Sequence, residues 1–138
     1  MRVRLWLLAL PLAFGCGGGS KTAPVSGRVT LDNKPLRKAK VNFQPIAREG
    51  DNNPGGGSYA ETDADGRFTL KTVFGEQDGA VAGTHRVEIS AFDREVDPAN
   101  DRDRTRNLVP PEYNRDTTLR FEVPRGGTRE ANFDLKSR

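Results

Sequence analysis

The sequence is short of the residues that form crosslinks, metal sites and catalytic centres. Its 138 residues include one cysteine, one histidine, one tryptophan and one methionine. A single cysteine excludes an internal disulfide, and a single histidine leaves an imidazole-based metal site without a second ring. The longest apolar run, residues 5–14, is about half as long as a membrane-spanning helix. We therefore predict no cofactor and no metal, and this run is too short to span a bilayer.

The chain also lacks a block of charge of one sign. It carries 22 Lys and Arg residues against 19 Asp and Glu residues. Two of the basic residues, Arg2 and Arg4, lie in an N-terminal leader, and without them 20 basic residues face 19 acidic ones. Both signs alternate, as at residues 101–104. Because nucleic-acid binding needs a basic patch, we predict no nucleic-acid partner.

Residues 1–15 have the order of a secretory signal peptide. Arg2 and Arg4 precede the apolar run at 5–14, and small residues surround the following junction. The alternative is a buried N-terminal helix. Pro11 disfavours that alternative because proline disrupts a helix interior, and three glycines at 17–19 would end such a helix.

The junction itself, residues 12–16, resembles a bacterial lipobox, in which a small residue precedes a lipid-modified cysteine. This resemblance implies cleavage between Gly15 and Cys16, diacylglyceryl transfer to the Cys16 thiol, and N-acylation by a chain such as palmitate. Ala13 and Phe14 depart from the leucine and the small residue that lipoboxes prefer at those positions. The alternative is ordinary cleavage that leaves Cys16 as a free thiol.

Lipidation of Cys16 would make membrane lipid the first partner. Two or more acyl chains hold a protein stably, whereas one chain holds it marginally. Gly17 follows the cysteine, and by resemblance to enteric lipoprotein sorting this favours the outer membrane over the inner one. Residues 16–23 then form the lipidated cysteine and a flexible Gly/Ser tether.

Residues 24–138 show the two-residue alternation of apolar and polar side chains that is typical of half-buried strands. Polar, Gly- and Pro-rich segments separate them, including loops at 48–58, 75–83 and 93–112. Seven short strands favour an all-β, antiparallel Greek-key sandwich of immunoglobulin-like or transthyretin-like type, with a small barrel as the alternative. The seven strands are predicted at 25–31, 39–44, 59–62, 67–71, 86–91, 118–123 and 130–135.

Three segments carry recognisable patterns: G-x-V, P-L and A-x-V-x-F within 25–43, T-D-x-D-G-x-F-x-L at 62–70, and G-x-H-x-V-x-I within 79–89. These patterns resemble those of the carboxypeptidase regulatory-like family, which is related to transthyretin-like folds. The resemblance covers most of residues 24–136 and implies the fold, because the shared residues belong to strands and turns. Transthyretin-like hydrolases depend on several histidines, and this chain has one. Two further segments, 109–114 and 132–135, are similar to small planctomycete-type lipoproteins of this kind.

Asp63, Asp65 and Gly66 look like the start of a calcium loop. Such a loop continues with oxygen ligands and a Glu at its twelfth position. Here the fifth and twelfth positions hold Arg67 and Phe74, neither of which supplies the required oxygen. We therefore interpret the first three residues as a tight hairpin turn.

Two further residues have both a structural and a functional interpretation. His85 begins an apolar-alternating strand, so we predict a structural histidine; the alternative is a secreted hydrolase that uses His85 with an Asp or Glu. Tyr113, beside Asn114, precedes a late strand. We predict a corner, with the ring in the core and the hydroxyl bonded to backbone; an exposed aromatic that binds sugar or peptide is the alternative.

Together these observations predict an extracytoplasmic, lipid-anchored protein of the cell envelope that is not an enzyme. Its domain would bind or support an envelope protein or a polysaccharide through the loops, since loops on rigid sheets carry recognition. The alternatives are the His85 hydrolase and an accessory subunit of an envelope transport or secretion complex.

Overall fold

The computed structural model of the protein describes residues 22–99 and 102–138. Within these residues the chain forms thirteen strands and one short 3₁₀ helix. The strands are β1 (Thr22–Ala23), β2 (Ser26–Leu31), β3 (Lys34–Pro35), β4 (Lys40–Pro45), β5 (Ser58–Glu61), β6 (Arg67–Thr69), β7 (Lys71–Thr72), β8 (Ala80–Val81), β9 (Gly83–Ser90), β10 (Phe92–Asp97), β11 (Arg102–Asn107), β12 (Arg120–Val123) and β13 (Phe133–Leu135), and the 3₁₀ helix is Pro111–Tyr113.

Two main sheets face each other and enclose the core. One has the order β12-β9-β4-β5-β7, and the other has the order β13-β2-β3 with β6 also paired to β2. Phe43 of β4 meets Phe133 of β13 edge to face, with ring centroids 6.0 Å apart, and Phe121 of β12 meets the same ring at 5.9 Å. Such aromatic contacts join the two layers. The predicted all-β sandwich is confirmed, and each of the seven predicted segments contains a strand.

The alternation read from the sequence places the buried side chains. In β4 and β9, Val41 lies opposite Ile89 and Phe43 lies opposite Val87. All four side chains are fully buried. Since successive residues of a strand point to opposite faces, this register leaves the other residues of both strands on the outer face of the sheet.

The segment 93–112, predicted as a loop, contains an antiparallel hairpin. Strands β10 and β11 pair at six positions, from Phe92 opposite Asn107 to Asp97 opposite Arg102. In the described chain these two strands pair with each other and with neither main sheet. Their sequences do not alternate between apolar and polar residues, so the periodic signal used to find strands is missing.

Two features differ from the prediction of an antiparallel sandwich with a hairpin turn at Asp63–Gly66. Strand β13 runs parallel to β2, with Phe133 opposite Val29 and Leu135 opposite Leu31. The turn at 63–66 joins β5 to β6, which belong to different sheets. Alternation reports which face of a strand is buried, and it carries no information on strand direction or on the choice of partner.

The sandwich has two distinct ends. Strand β9 begins at Gly83, opposite Val123, and ends at Ser90, opposite Lys40, about 23 Å away. Near Gly83 lie the start of the described chain and the loops 46–57, 73–79 and 124–127; we call this the tether end. The β10–β11 hairpin follows Ser90 and therefore leaves the sandwich at the opposite end.

Candidate functional site

The lipidation site Cys16 and the predicted cleavage junction between Gly15 and Cys16 lie outside the described residues. The structure nevertheless locates the point at which the chain joins the sandwich. Thr22 pairs with Val81 in the short β1–β8 ladder, and Ala23 is buried. Thr22 follows Cys16 by six positions, so their Cα atoms can lie no more than about 22 Å apart.

This junction is held tightly by two glycines. Gly79 has φ +105°, and a Cβ there would lie 2.0 Å from the carbonyl oxygen of Ala23. Gly127 has φ +80°, and a Cβ there would lie 2.2 Å from the carbonyl oxygen of Pro24. That Pro24 oxygen also accepts a 2.8 Å hydrogen bond from the Thr128 N–H. The backbone therefore leaves the sandwich from a fixed position, because no side chain fits where the two glycines approach it.

Beside this junction lies an open cleft of about 520 Å³, the tether-end cleft. Arg48 and Glu122 line it and form an ion pair at 3.9 Å, and both side chains are mostly exposed. The Thr84 hydroxyl donates to the other Glu122 carboxylate oxygen. Asp51 and Arg125 add one charge of each sign. A shallow surface of mixed charge suits a weak polar contact better than a buried reaction site.

The described residues contain no group of three or more His, Cys, Asp or Glu side chains that could hold a metal ion. At the suspected calcium loop, Asp63 Oδ1 accepts hydrogen bonds from the backbone N–H groups of Asp65 and Arg67, both at 2.9 Å. Gly66 has φ +74°, and a Cβ there would lie 2.5 Å from the Val29 carbonyl oxygen. The Asp63 carboxylate thus shapes the turn between the two sheets.

His85 lies in the interior of the sandwich and is fully buried. Its Nε2 is 2.7 Å from the carbonyl oxygen of Val81, so the neutral ring carries its proton there and donates it. Its Nδ1 is buried and has no hydrogen-bond partner among the described residues. The ring packs at 5.5 Å from Phe43. Burial lowers the pKa of His85, because the charged form is poorly solvated there.

Tyr113 and Asn114 fix the segment that precedes β12. The Tyr113 ring packs against the core, and its hydroxyl oxygen accepts a 3.3 Å hydrogen bond from the Lys136 N–H. The Asn114 side-chain amide donates to three carbonyl oxygens, those of Ile89, Val109 and Pro110, at 3.0–3.4 Å. Tyr113 thus bonds to backbone that follows β13, and Asn114 bonds to β9 and to the turn that precedes the 3₁₀ helix.

Sequence reasoning missed one feature of the tether end. Phe74 is 81% exposed and Val73 is 51% exposed, in the loop between β7 and β8. An adjacent apolar pair followed by Gly75 in an otherwise polar loop was the available signal.

Comparisons with known proteins add little to this geometry. No protein-family profile and no curated protein matches the chain. A 9R-lipoxygenase from Cyanothece PCC8801 is similar in structure, with a TM-score of 0.38 and 12% sequence identity over 93% of this chain. The chain spans 18% of that enzyme's length, and a likeness at this level supports no argument. The resemblance to the carboxypeptidase regulatory-like family stays a prediction.

Proposed function

We propose that the protein is an extracytoplasmic lipoprotein, anchored through acyl chains on Cys16, whose β-sandwich has a binding or structural role at the cell envelope. The observation that carries this proposal is the order of the N-terminal residues, in which a basic start, an apolar run and Cys16 after a small residue precede a Gly/Ser spacer. Strand β1 begins at Thr22, six residues beyond Cys16, and is clamped against β8. Each of the seven predicted strand segments contains a strand of the sandwich, and all of these strands lie C-terminal to Cys16.

The composition of residues 1–20 supports export and membrane attachment. Residues 1–15 carry the charge and apolar order of a signal peptide, and Gly17–19 with Ser20 have the composition of a flexible spacer. None of the helical segments in residues 22–99 and 102–138 has the length and hydrophobicity required to cross a bilayer. Acyl chains on one sulfur would supply stable membrane attachment.

A non-catalytic role is supported by the position of His85. A general base must reach the proton that it removes from a substrate. The His85 ring is fully buried, and its Nε2 is engaged by the Val81 carbonyl oxygen. Such a histidine contributes to packing and to the β8–β9 connection. A hydrolase that depends on His85 would have to open the sandwich first.

The topology favours one end of the sandwich for the proposed contact with a partner. Two of the predicted contact loops, 48–58 and 75–83, lie at the tether end and would face the bilayer. The β10–β11 hairpin leaves the opposite end, after Ser90, and would face away from it. An envelope protein or a polysaccharide would therefore meet the hairpin first. A two-stranded hairpin also offers backbone groups for strand addition.

Membrane fractionation of the full chain and of Cys16→Ser tests the anchor. We expect the wild-type protein to stay with membranes after washes in high salt and at alkaline pH, because acyl chains partition independently of charge. We expect Cys16→Ser to be released into the soluble fraction. Gly19→Ser, three residues further on, is the matched control and should stay with the membranes. Equal retention of Cys16→Ser and wild type would refute the proposal.

A further inference from the structure

We infer that the loop carrying Val73 and Phe74 is a second membrane contact, which inserts its phenyl ring into the headgroup region beside the lipid anchor. This inference rests on the proposed function, because the anchor brings the loop to the bilayer. Phe74 is 81% exposed, which exceeds every other large apolar side chain in the described residues. A water-exposed ring of this kind gains free energy when it reaches an apolar environment.

The exposure of Phe74 is fixed by its loop. The Thr72 hydroxyl donates to the Phe74 carbonyl oxygen at 2.9 Å and accepts from the Gln77 N–H at 3.1 Å. The Val73 N–H donates to the Gly57 carbonyl oxygen at 3.0 Å. Two of these bonds close the loop on itself between Thr72 and Gln77, and the third ties Val73 to the neighbouring loop at Gly57. The ring is therefore presented to solvent by an ordered turn.

The position of the loop identifies what it would contact. Phe74 and Thr22 line the same small cavity, of about 300 Å³, together with Gly56 and Val81. Thr22 is the first described residue and lies six residues from Cys16. The tether can span no more than about 22 Å between these two residues. A bilayer that holds the acyl chains is thus within reach of the Phe74 ring.

The charge around the loop indicates an apolar contact. Glu76 and Asp78 follow Phe74 and are exposed, so the loop offers no basic group to anionic lipid. Ile46, 40% exposed, lies on the same tether end and lines the adjacent cleft. A zwitterionic bilayer is therefore sufficient as the partner. Salt should have little influence on the contact, because screening acts on charges.

A single-tryptophan experiment on the acylated full chain tests this inference. Trp6 lies in the leader, so a chain that begins at Cys16 has no tryptophan. Phe74→Trp introduces one at the loop. Phe92→Trp is the matched control, since Phe92 is 56% exposed and lies at the opposite end of the sandwich. Each protein is placed in phosphatidylcholine vesicles, with and without lipids brominated near the headgroup end of the acyl chain.

We expect the tryptophan at position 74 to lose roughly half of its emission in brominated vesicles, because a ring at the headgroup–acyl boundary lies close to the bromine atoms. Its emission should also shift to shorter wavelength. The tryptophan at position 92 should be unaffected. Raising the salt concentration should not reverse the quenching. Both proteins should float with the vesicles and carry acyl mass on Cys16.

The possible failures are distinguishable. If the proteins float and are acylated but the two tryptophans are quenched equally, the membrane contact is refuted and the anchor stands. If position 74 is shielded from an aqueous quencher without bromine quenching, the loop contacts protein, which also refutes the inference. If the chain carries no acyl mass and does not float, the anchor fails, and the second contact fails with it.

Discussion

The Nε2 of His85 donates a 2.7 Å hydrogen bond to the carbonyl oxygen of Val81 inside the sandwich. Val81 lies in β8 and pairs with Thr22 in β1. The only imidazole of the chain therefore supports the strand on which the N-terminal segment is docked. This relationship links a buried core residue to the attachment of the tether.

The burial of His85 predicts a pH-dependent stability. Burial lowers the pKa of His85 in the folded protein below its ordinary value of 6.5. Between these two pKa values the unfolded chain binds a proton that the folded chain does not bind, so stability is lost as the pH falls below about 6.5. We expect the free energy of unfolding in urea to decrease by up to about 1.4 kcal/mol per pH unit in this range.

His85→Gln is the control for this prediction. Glutamine keeps an N–H donor for the Val81 carbonyl oxygen and does not titrate. Its free energy of unfolding should be lower than wild type at pH 7 but should change little between about pH 7 and pH 5.5, where carboxylates are still mostly ionised. An identical pH dependence in both proteins would assign the titration to other groups.

The close approach of Gly79 and Gly127 to the backbone of Ala23 and Pro24, which we call the glycine clamp, predicts different effects of alanine at two adjacent positions. Gly127→Ala places a methyl group 2.2 Å from the Pro24 carbonyl oxygen at a positive φ, and should cost at least about 1–3 kcal/mol from backbone strain alone. A Cβ at Gly126 meets open space, so Gly126→Ala should stay within about 0.5 kcal/mol of wild type. Thermal unfolding measures both. Equal melting temperatures for the two variants would contradict the clamp.

We expect the loss of the Thr62 hydroxyl to reduce the free energy of unfolding substantially. This buried side chain accepts a 2.8 Å hydrogen bond from the Ala39 N–H and donates a 2.5 Å bond to the Leu36 carbonyl oxygen. Thr62→Val leaves both backbone groups unpaired and should cost about 1–3 kcal/mol in chemical denaturation. Thr69→Val, at an exposed strand position, is the control and should be nearly neutral. A neutral Thr62→Val would show that water reaches these groups.

We expect Asn114 to contribute more than Tyr113 to the stability of the predicted corner. Asn114→Asp replaces an amide that donates to three carbonyl oxygens by a carboxylate that repels them, and should cost more than about 2 kcal/mol. Tyr113→Phe removes a single long bond from the exposed Lys136 N–H and should cost less than about 1 kcal/mol. Urea unfolding of both variants is the measurement. The reverse order would mean that the hydroxyl holds the corner.

The sandwich was predictable because its strands carry period-two alternation. Val41 with Phe43 and Val87 with Ile89 read directly as buried faces, and they are buried. The β10–β11 hairpin could not be predicted, because pairing between backbones does not require a periodic pattern of apolar residues in the sequence. The parallel pairing of β13 with β2 could not be predicted either, because side chains alternate in the same way for either strand direction.

The candidate sites were predictable to a smaller extent. Composition excluded a second histidine and a disulfide, and spacing excluded a calcium loop at Asp63. The hydrogen bond from His85 to Val81, the glycine clamp and the exposed Phe74 depend on which segments meet in space. A single sequence does not reveal which distant segments contact each other, so these features could be identified only in the structure.

The central claim is that acyl chains on Cys16 attach the sandwich to a membrane. Intact-mass analysis of the full protein, purified from membranes in detergent, tests this claim most directly. We predict a chain that begins at Cys16 and carries the added mass of a diacylglyceryl group and an N-linked acyl chain, with the lipid on the N-terminal peptide. A mass that fits an unmodified chain, with residues 1–15 retained or cleaved at another position, would contradict it.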